Sequence, residues 1–203
     1  MAWRALGARV VAMEPQPLFM QTLQRRYGND AAIILEEKAV GAQPGEATLH
    51  ISTRTPTVTT LSQDWIARVQ QDASFSKVQW DRQVTVPVTT LDALIDTWGE
   101  PRFCKIDVEG FELSVLQGLS RPLAALSFEY IPAAIDMALD CIKRLEELGQ
   151  YQYNLAPGET HRLQFSSWLT AGEMSEHLGN VREGSGDVYA RLISVENGIN
   201  NQL

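Results

Sequence analysis

The sequence predicts an α/β protein: a mostly parallel, Rossmann-like sheet with helices on both faces. Three observations carry that prediction. Short apolar runs of strand length recur at 8–13, 32–35, 103–108 and 124–129. Between them lie stretches with apolar residues about four apart, as in Phe19, Leu23 and Tyr27 or Phe111, Val115 and Leu119. Three of the runs also exit into an acidic residue: Glu14, Asp107 and Glu129. Strands alternating with amphipathic helices imply parallel pairing through right-handed crossovers. In such sheets ligands gather beyond the carboxyl ends of the strands.

Each element follows from its own residues. Residues 1–6 read as the last turns of a helix, with Gly7 as its left-handed cap. The run 8–13 has the length of a buried strand and ends at Glu14-Pro15. Pro17 suits a first helical turn, and Gly28-Asn29-Asp30 stops the helix it opens. Strands follow at 32–35 and 47–51, with Lys38-Ala-Val-Gly41 between them. Residues 53–83 form an excursion from the sheet, with five threonines between Thr53 and Thr60 and a helix around Trp65. The chain returns as a strand at 84–88, and Thr90 opens a helix to about Trp98. After the strand at 103–108, Glu109-Gly110 turns the chain into a helix carrying Val115 and Leu119. Ala138, Cys141, Ile142, Leu145 and Leu148 share one helix face, which Gly149 caps. A strand at 151–155, a Thr170–Glu173 capping box and a strand at 187–193 complete one domain over 1–193. Residues 194–203 are polar and expected to fray.

Composition narrows the function classes. With 203 residues, 44% hydrophobic, there is material for a real core, which excludes disorder. A net charge of −8 argues against nucleic acid as a partner, because phosphate binding needs basic surface. No apolar run approaches a membrane span, and the N-terminal apolar stretch is too short for a signal peptide. Cys104 and Cys141 lie apart without a paired motif, which suits a reducing cytoplasm and gives no zinc cluster. His50, His161 and His177 lack ligand spacing, so no metal is expected and they read as surface or loop residues. Both cysteines read as core.

The acidic exits carry the chemistry. In dinucleotide-type folds an acid where Glu14 stands accepts hydrogen bonds from ribose hydroxyls; otherwise it is a solvated loop carboxylate. Asp107 and Glu109 leave a buried strand two residues apart, ahead of a glycine turn. Such acids position a polar acceptor or take its proton as a general base. The alternative for Glu109 is a place at the next helix N-terminus, where it favours the helix dipole.

Four strings occur in the order seen in FkbM-type methyltransferases. They are Val10-Val-Ala-Met-Glu14-Pro-Gln-Pro, Lys38-Ala-Val-Gly41, Val86-Pro-Val-Thr-Thr-Leu-Asp92 and Phe103-Cys-Lys-Ile-Asp-Val-Glu-Gly-Phe-Glu112. Val115-Leu-Gln-Gly118-Leu119 continues the pattern. The sequence resembles that family over residues 1 to about 155. The resemblance implies an S-adenosylmethionine-dependent methyltransferase acting on a hydroxyl oxygen of a sugar, glycolipid or natural product, a small-molecule or glycan acceptor. It implies that Glu14 holds the cofactor ribose, that Pro15 borders it, and that Ala39 and Val40 lie near the adenine. Asp107 and Glu109 would face the sulfonium and the acceptor, with Asp107 the first candidate for the base and Glu109 the second. Glu129 matches the acid that ends the next strand. The threonine-rich excursion and the segment around Trp168 would shape the acceptor pocket, or else be surface insertions.

One departure stands out. The family opens with a strand and an Asp-x-Gly-Ala-Asn-x-Gly loop around the methionine half of the cofactor, and no such string is present. The sheet is therefore expected to lack its central first strand. Either the true start lies upstream, or the chain is a truncated or degenerate module that binds partners without catalysis. A nicotinamide-dependent oxidoreductase on a similar sheet is the remaining rival. The short-chain dehydrogenase form of that rival is disfavoured, because no tyrosine has lysine four places on. Nothing in the sequence sets the oligomeric state.

Overall fold

A computed structural model describes residues 2–158, 160 and 162–193. The tail expected to fray at 194–203, and His161, lie outside the described residues. The chain runs α1 (Ala2–Ala5), β1 (Val10–Met13), α2 (Pro17–Tyr27), β2 (Ile33–Glu36), β3 (Ala39–Val40) and β4 (Gly45–Ile51). Then come α3 (Gln63–Val69), β5 (Arg82–Thr89), α4 (Leu91–Trp98), β6 (Cys104–Ile106), α5 (Glu112–Gln117) and β7 (Ala125–Tyr130). The last elements are α6 (Ile135–Leu148), β8 (Tyr151–Pro157), α7 (Ala171–Gly179) and β9 (Gly186–Leu192). Among the described residues no helix is long and apolar enough to cross a membrane.

The strands fall into three groups: β1-β2, β3-β5-β4 and β6-β7-β9-β8. The parallel pairs are β1 with β2, β3 with β5, and β6 with β7. The first and last of these are joined by crossover helices, α2 and α5, as the alternating pattern requires. Antiparallel pairing enters where the chain departs from that alternation. The excursion leaves from β4 and returns in β5, so these two strands run opposite ways. β9 inserts antiparallel between β7 and β8.

Among the described residues β1 pairs only with β2, and β6 only with β7, so no ladder joins β1 to β6. Side chains bridge the two groups instead. Trp3 of α1 stacks on Phe103 with ring centroids 5.1 Å apart, and Arg9 donates to the Trp98 carbonyl at 3.3 Å.

One face of the β6-β7-β9-β8 sheet carries the main core. Ile106, Leu126, Phe128, Val188 and Ala190 pack with Val115 and Leu116 of α5 and with Ala138, Cys141, Ile142 and Leu145 of α6. The four-residue spacing that predicts α6 is the spacing that puts these side chains on one buried stripe. Cys141 is core, and Cys104 packs against it. The capping box forms in full: the Thr170 hydroxyl accepts from Glu173 N, and the Glu173 carboxylate accepts from Thr170 N.

Gly149 caps α6 as expected, its N–H donating to Leu145 O at 3.0 Å. Two expectations change in detail. The strand expected at 103–108 stops at Ile106, and the helix after it begins at Glu112, leaving a longer turn between them. His50 is buried in β4 beside the excursion, with its ring 3.3 Å from the Gln83 amide, so it is not a surface residue.

The excursion has a small core of its own. Trp65 meets Phe75 and Trp80 edge-on, at 5.6 and 6.0 Å between centroids, and packs with Val69 and Ala134. A β-bridge ties it back to the sheet: His50 N donates to Thr60 O at 2.8 Å, and Thr60 N donates to His50 O at 3.0 Å.

Leu126 is fully buried at the centre of the main core. Leu126→Ala should therefore lower the unfolding free energy by about 2–5 kcal/mol, read from urea denaturation curves.

Candidate functional site

A cavity of about 420 Å³ opens beyond the carboxyl ends of β1, β6 and β7. Its wall includes Glu14, Pro15, Ala39, Val40, Asp107, Glu109 and Glu129, all of the residues singled out in the sequence. Thr57, Thr59 and Thr60 of the threonine-rich excursion line it too, as do Gln16, Phe19 and Lys38, to which the sequence assigns no role. Trp168 is not part of this wall. Its ring lies under the Arg191 guanidinium at 4.4 Å, on β9.

Glu14 follows β1 directly, where the chain leaves the sheet. Its Oε1 accepts from Gln16 N at 2.7 Å, which fixes the carboxylate and leaves the second oxygen for another donor. Burial raises its pKa, and the Gln16 N–H works against that rise. Ala39 and Val40 are buried in β3 and give the cavity an apolar patch.

The opposite wall is a turn. Asp107 leaves β6 with its side chain about half exposed and lies 3.2 Å from the Lys105 ammonium, which also binds Asp187 at 3.0 Å. Burial alone would lower the Lys105 pKa, but Asp107 and Asp187 outweigh it and hold it above the ordinary value. Glu109 has φ +54°, the one non-glycine residue in the left-handed region among those described, and Gly110 follows at +83°. Gly110 is dictated by space as well as handedness, since a Cβ there would lie 2.1 Å from the Trp65 ring.

Two groups hold this turn. Glu112, 5% exposed, accepts from Val108 N and Gly110 N through Oε1, each at 3.2 Å. The Thr60 hydroxyl donates to the Glu109 carbonyl at 2.6 Å. Of the two positions the sequence allows for Glu109, it occupies the cavity wall, while Glu112 starts α5. Glu112 stood in the quoted string without a role. Its signal is an acid two places after the turn glycine, within reach of N–H groups that the turn leaves free.

Glu129, near the end of β7, completes the site. Asp107, Glu109 and Glu129 each place a carboxylate oxygen within 4.8 Å of the others. Among the described residues this is the one group with spacing to surround a cation. So many carboxylates in so small a space cannot all be ionised. Burial, then the charges of Glu129, Asp107 and Glu112, push the Glu109 pKa up to about 9. Burial, then Asp107, Glu112 and Asp187, push Glu129 up to about 8, although Lys105 opposes the rise. Burial pushes Glu112 up to about 7 against the pull of its N–H donors. At neutral pH Glu109 and Glu129 are therefore protonated.

The model of the Methyltransferase FkbM domain matches residues 2–150. Among solved structures, the chain is similar to a crystal structure of Methyltransferase FkbM from Methylobacillus flagellatus KT. The TM-score is 0.51 and the identity 20%, over 90% of this chain. The chain spans 36% of that protein's length, so the likeness shows a shared fold. No curated protein matches the chain.

The raised carboxylates make stability depend on pH. In the unfolded chain these glutamates lose their protons near 4.5, but in the fold they keep them to about 7, 8 and 9. The stability linked to these protons is full below 4.5 and is lost as pH rises through the folded values. The urea midpoint should fall steadily from about pH 5 to 9, and Glu109→Gln should flatten the upper part of that fall.

Proposed function

The chain belongs to the FkbM methyltransferase domain family, and on that footing we propose that it transfers a methyl group from S-adenosylmethionine to a hydroxyl oxygen. The acceptor class we infer is a sugar, glycolipid or natural-product alcohol, and the setting is the cytoplasm. One observation carries the reading: a fixed carboxylate, an apolar patch and a carboxylate cluster converge on one cavity at the strand ends.

The donor set fits the adenosyl half of the cofactor. Glu14 has one oxygen committed to Gln16 N and one free, which suits a ribose diol. Ala39, Val40 and Phe19 offer apolar walls for a flat base. The Thr59 hydroxyl is buried without a hydrogen-bond partner on the same wall, so a ligand group would meet an unspent polar atom. S-adenosylmethionine supplies a methyl group activated by a sulfonium.

The remaining chemistry falls to the chain's own residues. An alcohol is a poor nucleophile until its proton is taken. The sequence ranks Asp107 first for that task, but the geometry favours Glu109. Asp107 is tied to Lys105 at the solvent edge, whereas Glu109 is directed into the cavity on an anchored turn. A base with a pKa near 9 is well matched to a weakly acidic hydroxyl, provided the pH is high enough to free it. Asp107 then contributes negative charge beside the reacting centre, and Glu129, which gives up its proton before Glu109 does, adds to it. The apolar walls exclude water, which strengthens each of these interactions.

Calorimetry with S-adenosylmethionine, its demethylated product and NAD tests the reading. Heat with the first two and none with NAD is expected. Silence with all three would indicate a partner-binding module, and heat with NAD alone an oxidoreductase. Glu14→Ala should weaken S-adenosylmethionine binding roughly tenfold or more, through loss of a charged hydrogen bond. Glu109→Gln should leave that affinity within about twofold and lower turnover about a hundredfold. Wild-type kcat/KM should rise as pH passes through 8 to 9, and this rise should vanish in Glu109→Gln.

A further inference from the structure

We propose that Thr60 is a positioning residue, brought in by the excursion to hold Glu109 in left-handed backbone with its carboxylate in the cavity. The proposal rests on the methyl-transfer reading only in naming what Glu109 is positioned for.

A glutamate at φ +54° does not stay there on its own preference. Something outside its own torsions must hold it. The Glu112 carboxylate fixes the N–H groups on either side, Val108 and Gly110, and comes from within the same local stretch. The Glu109 carbonyl is held by the Thr60 hydroxyl, 49 residues earlier in the chain.

Thr60 is itself fixed at every polar atom. Its backbone N–H and carbonyl form the bridge to His50, and its hydroxyl accepts from Ser62 N at 2.9 Å while donating to Glu109. It is 1% exposed, so no water competes for that hydroxyl. The Trp65 ring of the same excursion closes over Gly110. The excursion is therefore the outer half of the clamp on the turn, and the threonine-rich stretch is more than a surface insertion.

The test compares Thr60→Val, which keeps shape and loses the hydroxyl, with Thr60→Ser, which keeps the hydroxyl. The first readout is the titration of the Glu109 carboxyl carbon by NMR, with Asp107, Glu112 and Glu129 beside it and Glu14 and Lys38 across the cavity assigned in parallel. Thr60→Val should move the Glu109 midpoint down by about one pH unit or more as the carboxylate turns toward water, and Thr60→Ser should leave it in place. The second readout is turnover. Thr60→Val should lower kcat about tenfold or more with KM for S-adenosylmethionine within about twofold, and Thr60→Ser should restore it. A lower melting temperature with an unmoved Glu109 midpoint would overturn the proposal, because it would make Thr60 merely structural. If Thr60→Val does not fold, Thr60→Cys, a weaker donor of similar size, takes its place and must show the same downward shift. The NMR readout needs no methyl transfer. A wild type without transferase activity would sink the functional reading and leave the titration to decide Thr60 on its own.

Discussion

The backbone turn between β6 and α5 is the constraint on which the site depends. The strand ends at Ile106 and the helix begins at Glu112, so five residues must reverse the chain and still face two carboxylates into the cavity. Left-handed backbone at a non-glycine residue costs roughly 1–2 kcal/mol. One neutral hydrogen bond contributes about 1 kcal/mol, and a bond to a charged group about 1.5–3 kcal/mol. The Thr60 hydroxyl and the two N–H bonds to Glu112 together exceed the cost, whereas any one neutral bond only matches it. That balance explains why the turn is held from two sides, and why the fold commits a buried carboxylate and a buried threonine to a few backbone atoms.

The same turn explains the shape of the surrounding fold. Gly110 must be a glycine because Trp65 lies where a side chain would go, and Trp65 is there because the excursion carries its own aromatic cluster. The excursion is anchored in turn by the bridge between Thr60 and His50 of β4. Residues far apart in sequence thus form one mechanical chain, from the strand through the excursion to the Glu109 turn. Local pairs such as the Thr170 capping box stabilise single elements and carry no such coupling.

What the sequence revealed follows from this difference between local and non-local causes. Strand lengths, helix faces and the capping box depend on neighbours within a few residues, so α2, α4, α6 and α7 are legible with small shifts at their ends. The acids at strand exits are legible because the fold class itself says where ligands gather, and Glu14, Asp107, Glu109 and Glu129 do share a cavity. The sequence offers the threonine-rich excursion as a pocket wall, but not Thr60 or Trp65 as supports of the turn. Their roles depend on a tertiary approach across 49 and 45 residues, and a threonine in a threonine-rich stretch has no pattern of its own. His50 is hidden from a sequence reading for a related reason. A histidine in an alternating strand looks half-exposed until the excursion folds over it. Gly149 shows the reverse case: the helix end is legible from the residue alone, and its N–H closes α6 on Leu145 O.

The carboxylate cluster poses a physical problem that bears on function. Asp107, Glu109 and Glu129 lie too close to carry three charges, and the fold resolves this with protons, holding Glu109 and Glu129 neutral at pH 7. A proton is an exchangeable counter-charge. A ligand that brings its own positive charge into the cavity does the same work and releases a proton, so cation binding and proton loss at this site are thermodynamically linked. On the proposed reading the sulfonium is such a ligand. Its arrival would lower the proton affinity of the residue that must act as base. The acidity that makes the cluster costly would then become the means by which cofactor binding readies Glu109, and an anionic ligand in the same place would have the opposite effect. The need for left-handed backbone at Glu109 follows from the same logic, because the coupling works only while the carboxylate faces the charge. A freely rotating glutamate would turn to water and titrate there as an ordinary acid.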